Sequence, residues 1–161
     1  MKEDSTNENF RLDEKDVAIL KLLQDNSRMT VKEIGEKVRL SATPVHERIK
    51  RMEASGIIRR YATLLDAGKV GKGLTVICYV SLKEHNRGAG AKFISAINAM
   101  NEVIACYNIS GEFDFMLKVV CKDMNAYYDF HVNKLGLTDN VGNMQSVFVM
   151  GVIKDTHRLI W

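Results

Sequence analysis

Apolar and polar residues repeat along this chain with two different periods, one before residue 57 and the other after residue 73. In the first part the apolar residues recur every three or four positions, which is typical of amphipathic helices. In the second part, stretches that alternate every second residue are separated by helical stretches, and alternation is typical of strands. The pattern therefore predicts a helical N-terminal part and a mixed C-terminal part.

Two helices are predicted before residue 40. Asp13 can cap the first, whose apolar stripe includes Val17, Leu20 and Leu23 and ends near residue 24. The second follows a T-x-x-E capping box formed by Thr30 and Glu33. Both stripes need a partner to cover them, so we expect these helices to pack together.

Residues 41–56 predict a third helix, which is short and basic. Ser41 is a good N-cap, and Gly56 is a good residue to follow the last turn. Val45, Ile49 and Met52 would point inward, which leaves the polar residues on the other side. Because only a few residues separate this helix from the second, the arrangement is a helix-turn-helix. Taken alone, its charge pattern also fits a surface helix whose charges are merely solvated.

The remaining pattern divides the chain into segments. Residues 57–65 contain β-branched and aromatic side chains and predict a strand that leaves the helices, and residues 66–73 contain three glycines and predict a hinge. The N-terminal stretch is polar and without period, as in a mobile tail. We therefore predict a tail at 1–11, a helix-turn-helix domain at 12–65, a hinge at 66–73 and a second domain at 74–161.

The second domain is predicted to have the order β-α-β-β-α-β. Its first strand covers residues 74–82, its second and third form a hairpin that turns at 110–112, and its last begins at residue 145. Helices fall near Phe93 and between Met124 and Gly136. This order predicts a ferredoxin-like domain with two helices on one face of a four-stranded antiparallel sheet, and an α+β chain overall.

The composition indicates in which compartment of the cell this protein occurs. An apolar content of 46% supports packed cores, but no apolar run is long enough to span a bilayer. The N-terminus also lacks the apolar segment of a signal peptide, so we expect a cytoplasmic protein without a membrane partner. Cys78, Cys106 and Cys121 lie in apolar runs without a C-x-x-C pair and are expected to be buried thiols.

Charge is distributed unevenly although the net charge is only +3. Residues 39–60 contain six basic and two acidic side chains, whereas residues 1–38 contain seven basic and nine acidic ones. Positive charge is therefore concentrated on the third predicted helix and the residues after it. A surface that faces DNA requires this distribution.

Several motifs in this sequence are specific enough to compare with a known family. They are LD-x-x-D followed by IL-x-x-L from Leu12 onward, Arg28 after a polar turn, LS at the start of the third helix, and R-I-x-R-M-E-x-x-G-I-I, which closes that helix. Residues 12–71 resemble the DNA-binding half of the Lrp/AsnC, or feast/famine, transcriptional regulators. SGEFDFML, within the predicted ferredoxin-like domain, extends the resemblance over almost the whole chain.

The resemblance implies a sequence-specific transcriptional regulator with a winged-helix-like DNA-binding domain. It also implies that the second domain senses a ligand, dimerises sheet to sheet and assembles into octamers or similar rings. In many members of the family an amino acid binds between dimers. An architectural DNA-compacting protein with relaxed specificity is the alternative that the same helix allows.

The third helix is expected to place its N-terminal half in the major groove of double-stranded DNA, and two copies in a dimer would read a roughly palindromic site. Base contacts are expected from Thr43 and His46, and a phosphate contact from Ser41. Phosphate or base contacts are expected from Arg48, Lys50 and Arg51. Arg48 flanks the buried stripe, so a pairing with Glu47 or a neighbour of Glu53 is an alternative for it.

The resemblance also points to an effector site. Gly111 and Asp114 match the G-x-x-D of the family, and the expected neighbours are Asn108, Ser110, Gly142, Gln145 and Ser146. An aspartate suits the ammonium group of an amino acid, and a glycine turn offers backbone amides to its carboxylate. The alternative is that Gly111 serves only the hairpin and that Asp114 is a solvated edge residue.

Neither a cofactor nor a metal is expected. Glu112 and Asp114 share a strand face, but no histidine or further aspartate accompanies them. The four histidines, at positions 46, 85, 131 and 157, lie in separate elements and form no nucleophile or metal pattern. We therefore predict that the protein is not an enzyme, the alternative being a catalytic βαββαβ domain with accessory helices.

Overall fold

The computed structural model describes residues 11–160, so the predicted tail, apart from Arg11, lies outside the described residues. Contacts divide the chain into two compact units. The first extends to Thr63 and includes the chain again from Lys154 onward, and the second is Leu64–Ile153. Each unit has its own hydrophobic core.

The first unit contains the three predicted helices, α1 (Glu14–Asp25), α2 (Val31–Val38) and α3 (Ala42–Ala54). Asp13 caps α1 in a capping box with Asp16, and Thr30 caps α2 in the predicted box with Glu33. Ser41 occupies the N-cap position of α3, although its side chain makes no capping hydrogen bond. The local signals in the sequence therefore locate all three helix starts correctly.

The core of the first unit lies between these helices. Ile19 of α1, Ile34 of α2, and Val45 and Met52 of α3 are fully buried. Ile49 is also buried, so the predicted inward stripe of α3 is confirmed. Burying such side chains contributes about 1.5–3 kcal/mol each, which the short helices need because isolated helices of this length are marginal in water.

The turn between α2 and α3 is tight because Gly35 has no side chain. A Cβ atom at Gly35 would lie 2.5 Å from the carbonyl oxygen of Leu40. The backbone N–H of Leu40 donates to the carbonyl of Gly35 at 2.9 Å, and Arg39 between them is left-handed with φ 57°. The helix-turn-helix geometry therefore depends on a glycine at position 35.

The prediction of a strand at residues 57–65 is wrong. Residues 59–66 have neither helix nor strand, and the four-stranded sheet of the second unit contains none of them. A β-favouring sequence becomes a strand only when another strand supplies its hydrogen bonds, and within the described chain this segment has no such partner.

Arg158 and Leu159, near the C-terminus, pack on α1. The backbone N–H of Leu159 donates to Oε1 of Gln24 at 2.6 Å, and Nε2 of Gln24 donates to the carbonyl of Leu159 at 3.4 Å. Arg158 also pairs with Asp25 at 2.9 Å. Residues 154–160 are thus grouped with the helical unit, whereas the sequence pattern assigned them to the second domain. Contacts between residues so far apart in sequence leave no local signal.

The second unit has the predicted order, with β1 (Leu74–Leu82), α4 (Arg87–Asn98), β2 (Val103–Asn108), β3 (Phe115–Cys121), α5 (Met124–Phe130) and β4 (Val141–Phe148). A π-helical turn at His131–Leu135 extends α5 to Gly136. The sheet is antiparallel with the order β2-β3-β1-β4. The ferredoxin-like prediction is therefore confirmed.

One face of the sheet forms the core of the second unit with the helices. Phe93 of α4 and Phe130 of α5 are fully buried and belong to one cluster with Val76, Val80 and Leu117 of the central strands. The other face carries the alternate residues of the same strands, all partly exposed: Ile77, Tyr79, Met116 and Val120. This alternation follows from the period of two in a strand.

Two details of the second unit differ from the predictions. β4 begins at Val141 rather than at residue 145, because Val141 pairs with Leu82 and is buried in the core. Cys106 is exposed rather than buried, because it lies on the edge strand β2, whereas Cys78 and Cys121 lie on central strands and are buried. All three thiols are free, and burial raises the pKa values of Cys78 and Cys121 above the ordinary one.

Candidate nucleic-acid interface and effector site

α3 exposes most of the residues that the sequence assigned to DNA. Ser41, Thr43, His46, Lys50 and Arg51 are exposed, while the apolar stripe of the same helix is buried. Lys50 lies 3.4 Å from Glu53 one turn later, but its side chain is 66% exposed. This surface pair is weak, so the ammonium group can turn toward a phosphate at little cost.

Arg48 lies in a different environment from the exposed side chains of α3. Its Nη1 atom lies 2.6 Å from Oδ2 of Asp13 and 2.7 Å from Oδ1 of Asp16. Nη2 of Arg51 lies 2.9 Å from the other carboxylate oxygen of Asp16, whose side chain is only 1% exposed. The two arginines therefore join α3 to the start of α1. The sequence had suggested Glu47 or a neighbour of Glu53 as an alternative partner for Arg48. In the structure its partners are Asp13 and Asp16 instead.

Hydrogen bonds and opposite charges favour the charged forms of Arg48 and Asp13. Hydrogen bonds to Asp16 and then to Asp13 raise the pKa of Arg48 above its ordinary value. The backbone N–H of Asp16, followed by Arg48, lowers the pKa of Asp13. Asp16 also accepts the backbone N–H of Asp13 at 3.1 Å, so its carboxylate is hydrogen-bonded on both oxygens. A buried carboxylate is tolerated because it is paired in this way.

The segment after α3 is attached to that helix by a tyrosine that the sequence did not single out. The hydroxyl of Tyr61 donates to Oε1 of Glu53 at 3.0 Å. Burial, followed by the neighbouring carboxylate, raises the pKa of Tyr61 to about 12. The phenol therefore stays protonated at neutral pH and remains a donor to Glu53.

In the second unit, the predicted G-x-x-D motif forms the turn between β2 and β3. Gly111 has φ 121°, a conformation that residues with a side chain rarely adopt. The carbonyl of Asp114 accepts the backbone N–H of Ile109 and Nδ2 of Asn108, both at 2.9 Å. The turn therefore brings together Asn108, Ser110, Gly111 and Asp114 as predicted.

The side chain of Asp114 is held by two donors. Its Oδ2 atom accepts the backbone N–H of Leu82 at 2.7 Å, and Nε2 of His85 lies 3.1 Å from both carboxylate oxygens. The carboxylate is only 26% exposed. Asp114 is therefore not the freely solvated edge residue of the alternative interpretation. His85 was missed as its partner because 29 residues separate the two.

The remaining predicted effector residues lie on β4, on the other side of β1. Gly142 packs closely on β1, since a Cβ atom there would lie 3.0 Å from the carbonyl oxygen of Ser81. Gln145 pairs with Tyr79 on the open face, and Ser146 pairs with Cys78 on the helix-covered face. β1 thus separates these residues from the turn at Gly111 within one chain.

Ser146 also contacts helix α5. Its Oγ atom lies 2.6 Å from the hydroxyl of Tyr127 on α5. Burial raises the pKa of Tyr127 to about 12, so this hydroxyl keeps its proton at neutral pH. Ser146 therefore belongs to the packing between α5 and β4 in this structure.

Other kinds of site are less well supported by the described residues. They include no group of three or more His, Cys, Asp or Glu side chains that could hold a metal ion. No helix between residues 11 and 160 has the length and apolar character needed to cross a membrane. A cleft of about 450 Å³ beside the start of α4 contains none of the predicted effector residues; it is lined by Lys83, Glu84, Asn86, Gly88, Ala89, Lys92, Asp139 and Asn140.

The fold and the exposed side of α3 define a helix-turn-helix DNA-binding protein with a second, ferredoxin-like domain. Family comparison finds the same two kinds of domain: residues 12–59 match a winged helix-turn-helix DNA-binding domain, and residues 75–159 match the Lrp/AsnC ligand binding domain. The chain belongs to the Lrp/AsnC family of transcriptional regulators, as the sequence motifs had indicated.

Individual relatives agree with this assignment. The leucine-responsive regulatory protein of Rhizobium meliloti is 35% identical over 145 residues, covering 89% of this chain and 92% of that protein. The transcriptional activator DecR of Escherichia coli is 31% identical over 148 residues, covering 92% of this chain and 97% of that protein. The crystal structure of a Neisseria meningitidis transcriptional regulator in complex with L-methionine superposes with a TM-score of 0.89 at 37% identity, covering 93% and 97%.

Proposed function

We propose that this regulator binds double-stranded DNA through the exposed side of α3, with Thr43 and His46 at base edges and Ser41, Lys50 and Arg51 at phosphates. The observation that carries the proposal is that these side chains are exposed while the apolar stripe of the helix is buried. Arg48 is assigned to holding α3 on α1, since Asp13 and Asp16 are on that side and its side chain is only 25% exposed, whereas the side chain of Arg51, which also pairs with Asp16, is 53% exposed.

Lys50→Ala tests the phosphate assignment. We expect weaker binding to all DNA sequences alike and a salt slope that is smaller by about one unit, because one fewer counterion is released. The measurement is fluorescence anisotropy with specific and unrelated duplexes across a salt series. Lys69→Ala removes the same charge from the second unit, at a side chain that is 85% exposed, and serves as the control. Unchanged affinity and slope in Lys50→Ala would remove Lys50 from the interface.

We propose further that the chain forms dimers through the open face of its sheet and that dimers assemble into an octamer or a similar ring. Ile77, Tyr79, Met116 and Val120 leave that face partly exposed, and an apolar face of this kind favours a second copy. Two helix-turn-helix units in a dimer would read a roughly palindromic site. A cytoplasmic location, where DNA and free amino acids occur together, is part of the same proposal.

An amino acid is the proposed effector. The support is the family description of residues 75–159 as a ligand binding domain and the L-methionine complex of the Neisseria relative. Asp114 would receive the ammonium group, and the turn at Gly111 would offer amides to the carboxylate. Because β1 separates this turn from Gly142 and Gln145, we propose that a site between dimers takes one group of residues from each neighbouring chain.

Calorimetric titration of the full chain with each of the twenty amino acids tests this site. We expect heat with at least one of them, and binding about 10- to 100-fold weaker in Asp114→Asn, because a hydrogen bond to a charged group contributes about 1.5–3 kcal/mol. Glu112→Gln neutralises an exposed carboxylate in the same turn and is the matched control. Absence of heat with every amino acid would contradict the proposal.

A further inference from the structure

His85 lies in the segment between β1 and α4, and neither DNA binding nor the predicted effector motif involves it. The backbone on both sides of it is fixed. The N–H of Glu84 donates to Oδ1 of Asn140 at 2.9 Å, and Asn140 donates from Nδ2 to the carbonyl of Glu84 at 2.9 Å. Asn86, on the other side, caps α4 by accepting the N–H of Ala89 at 2.8 Å. The imidazole is therefore carried on a well-anchored stretch of chain.

The position of this imidazole decides which part of the Asp114 carboxylate is free. A carboxylate has about four lone-pair sites. The N–H of Leu82 occupies one on Oδ2, and Nε2 of His85 lies at 3.1 Å from both oxygens. By this count one lone-pair direction at Oδ1 is left for a further donor such as an ammonium group, and the side chain is 26% exposed.

We propose that His85 is a positioning residue of the effector site, which as a neutral imidazole orients the Asp114 carboxylate and, once protonated, competes with the ammonium group of the effector. The proposal rests on the amino-acid site proposed above. A neutral ring donates one N–H and leaves the negative charge of Asp114 available. A protonated ring places a full positive charge against that carboxylate and repels a second cation.

Charged groups near this pair come from four segments. Lys83 and Glu84 adjoin His85 in its own segment, and Glu112 lies in the turn of Asp114. Asp139 precedes the Asn140 that holds Glu84, and Lys92 of α4 lines the same cleft as these residues. Lysines and carboxylates ordinarily keep their charge between about pH 5.5 and 7.5. A change of effector affinity in that window that disappears with the imidazole would therefore come from His85.

The test is calorimetry on the full chain with an amino acid that binds, repeated between about pH 5.5 and 7.5 at constant ionic strength. We expect about tenfold weaker binding at the acidic end for the natural protein, because the charge of a protonated imidazole opposes the ammonium group of the effector. His85→Gln keeps a neutral donor that does not titrate, so its affinity is expected to stay within about twofold across the window. His85→Ala removes the donor and is expected to weaken binding about three- to tenfold at pH 7.5.

His157→Gln removes a histidine from the other unit and is expected to keep the natural pH profile. Binding with the natural profile in His85→Gln, or full affinity in His85→Ala, would overturn the role of His85 and leave the amino-acid site standing. Absence of heat with all twenty amino acids would overturn the site and the role of His85 together.

Discussion

Replacing Gly35 by alanine is expected to destabilise the helical unit by about 2 kcal/mol and to abolish specific DNA binding. In an open helix this exchange would stabilise by about 1 kcal/mol, because alanine is the better helix former. Here the added Cβ would lie 2.5 Å from the carbonyl oxygen of Leu40, which is backbone and can move only if the turn into α3 opens. Such overpacking costs about 1–3 kcal/mol or more, so the clash outweighs the propensity.

Hydrogen exchange of α1–α3 in the full chain measures the stability, and anisotropy measures DNA binding. Glu36→Ala is the matched control, because it changes the neighbouring exposed residue of the same helix. We expect that variant to exchange and bind as the natural protein does. Natural stability and DNA affinity in Gly35→Ala would show that the turn accommodates a side chain and that the close approach does not set its geometry.

Asp16→Asn is expected to destabilise the same unit by about 2–3 kcal/mol. The substitution keeps the size of the side chain but leaves Arg48 and Arg51 opposite an uncharged amide. Removing one partner from a fully buried ion pair costs about 3–5 kcal/mol. The value expected here is lower because the arginine side chains are 25% and 53% exposed, so solvent compensates part of the loss.

A double-mutant cycle with Arg48→Met separates this ion pair from other effects of Asp16. We expect the two substitutions together to cost clearly less than the sum of the single ones. Asp13→Asn is the control: it keeps a capping oxygen at a side chain that is about half exposed, and its effect is expected to be smaller. Additive costs in the cycle would mean that Asp16 and Arg48 do not stabilise each other.

The surroundings of Arg48 depend on a segment that is distant in the sequence. The sequence favours a DNA contact for Arg48, as for Lys50 and Arg51, although Arg48 flanks the buried stripe of α3. The structure shows Asp13 and Asp16 beside it, from a helix that begins 34 residues earlier in the chain. We therefore expect Arg48 variants to affect stability first and DNA affinity through the position of α3.

The sequence by itself determined the features that depend on neighbours within a few residues. The Asp13 cap before α1, the capping box before α2, Gly56 after α3 and the β-α-β-β-α-β order could be predicted, because caps, turns and apolar periods act over one or two turns of chain. The inward stripe of α3 and the turn at Gly111 were predictable for the same reason.

Tertiary structure alone decided the features that need two distant segments. Because Val141 pairs with β1, β4 begins at Val141. Residues 59–66 form no strand, because no strand of the described chain pairs with them. Contacts between residues far apart in the sequence place Arg48 beside Asp16 and His85 beside Asp114. Strand β1 separates the predicted effector residues into two groups. Such contacts follow from how strands and helices pack, and no short stretch of sequence contains that information.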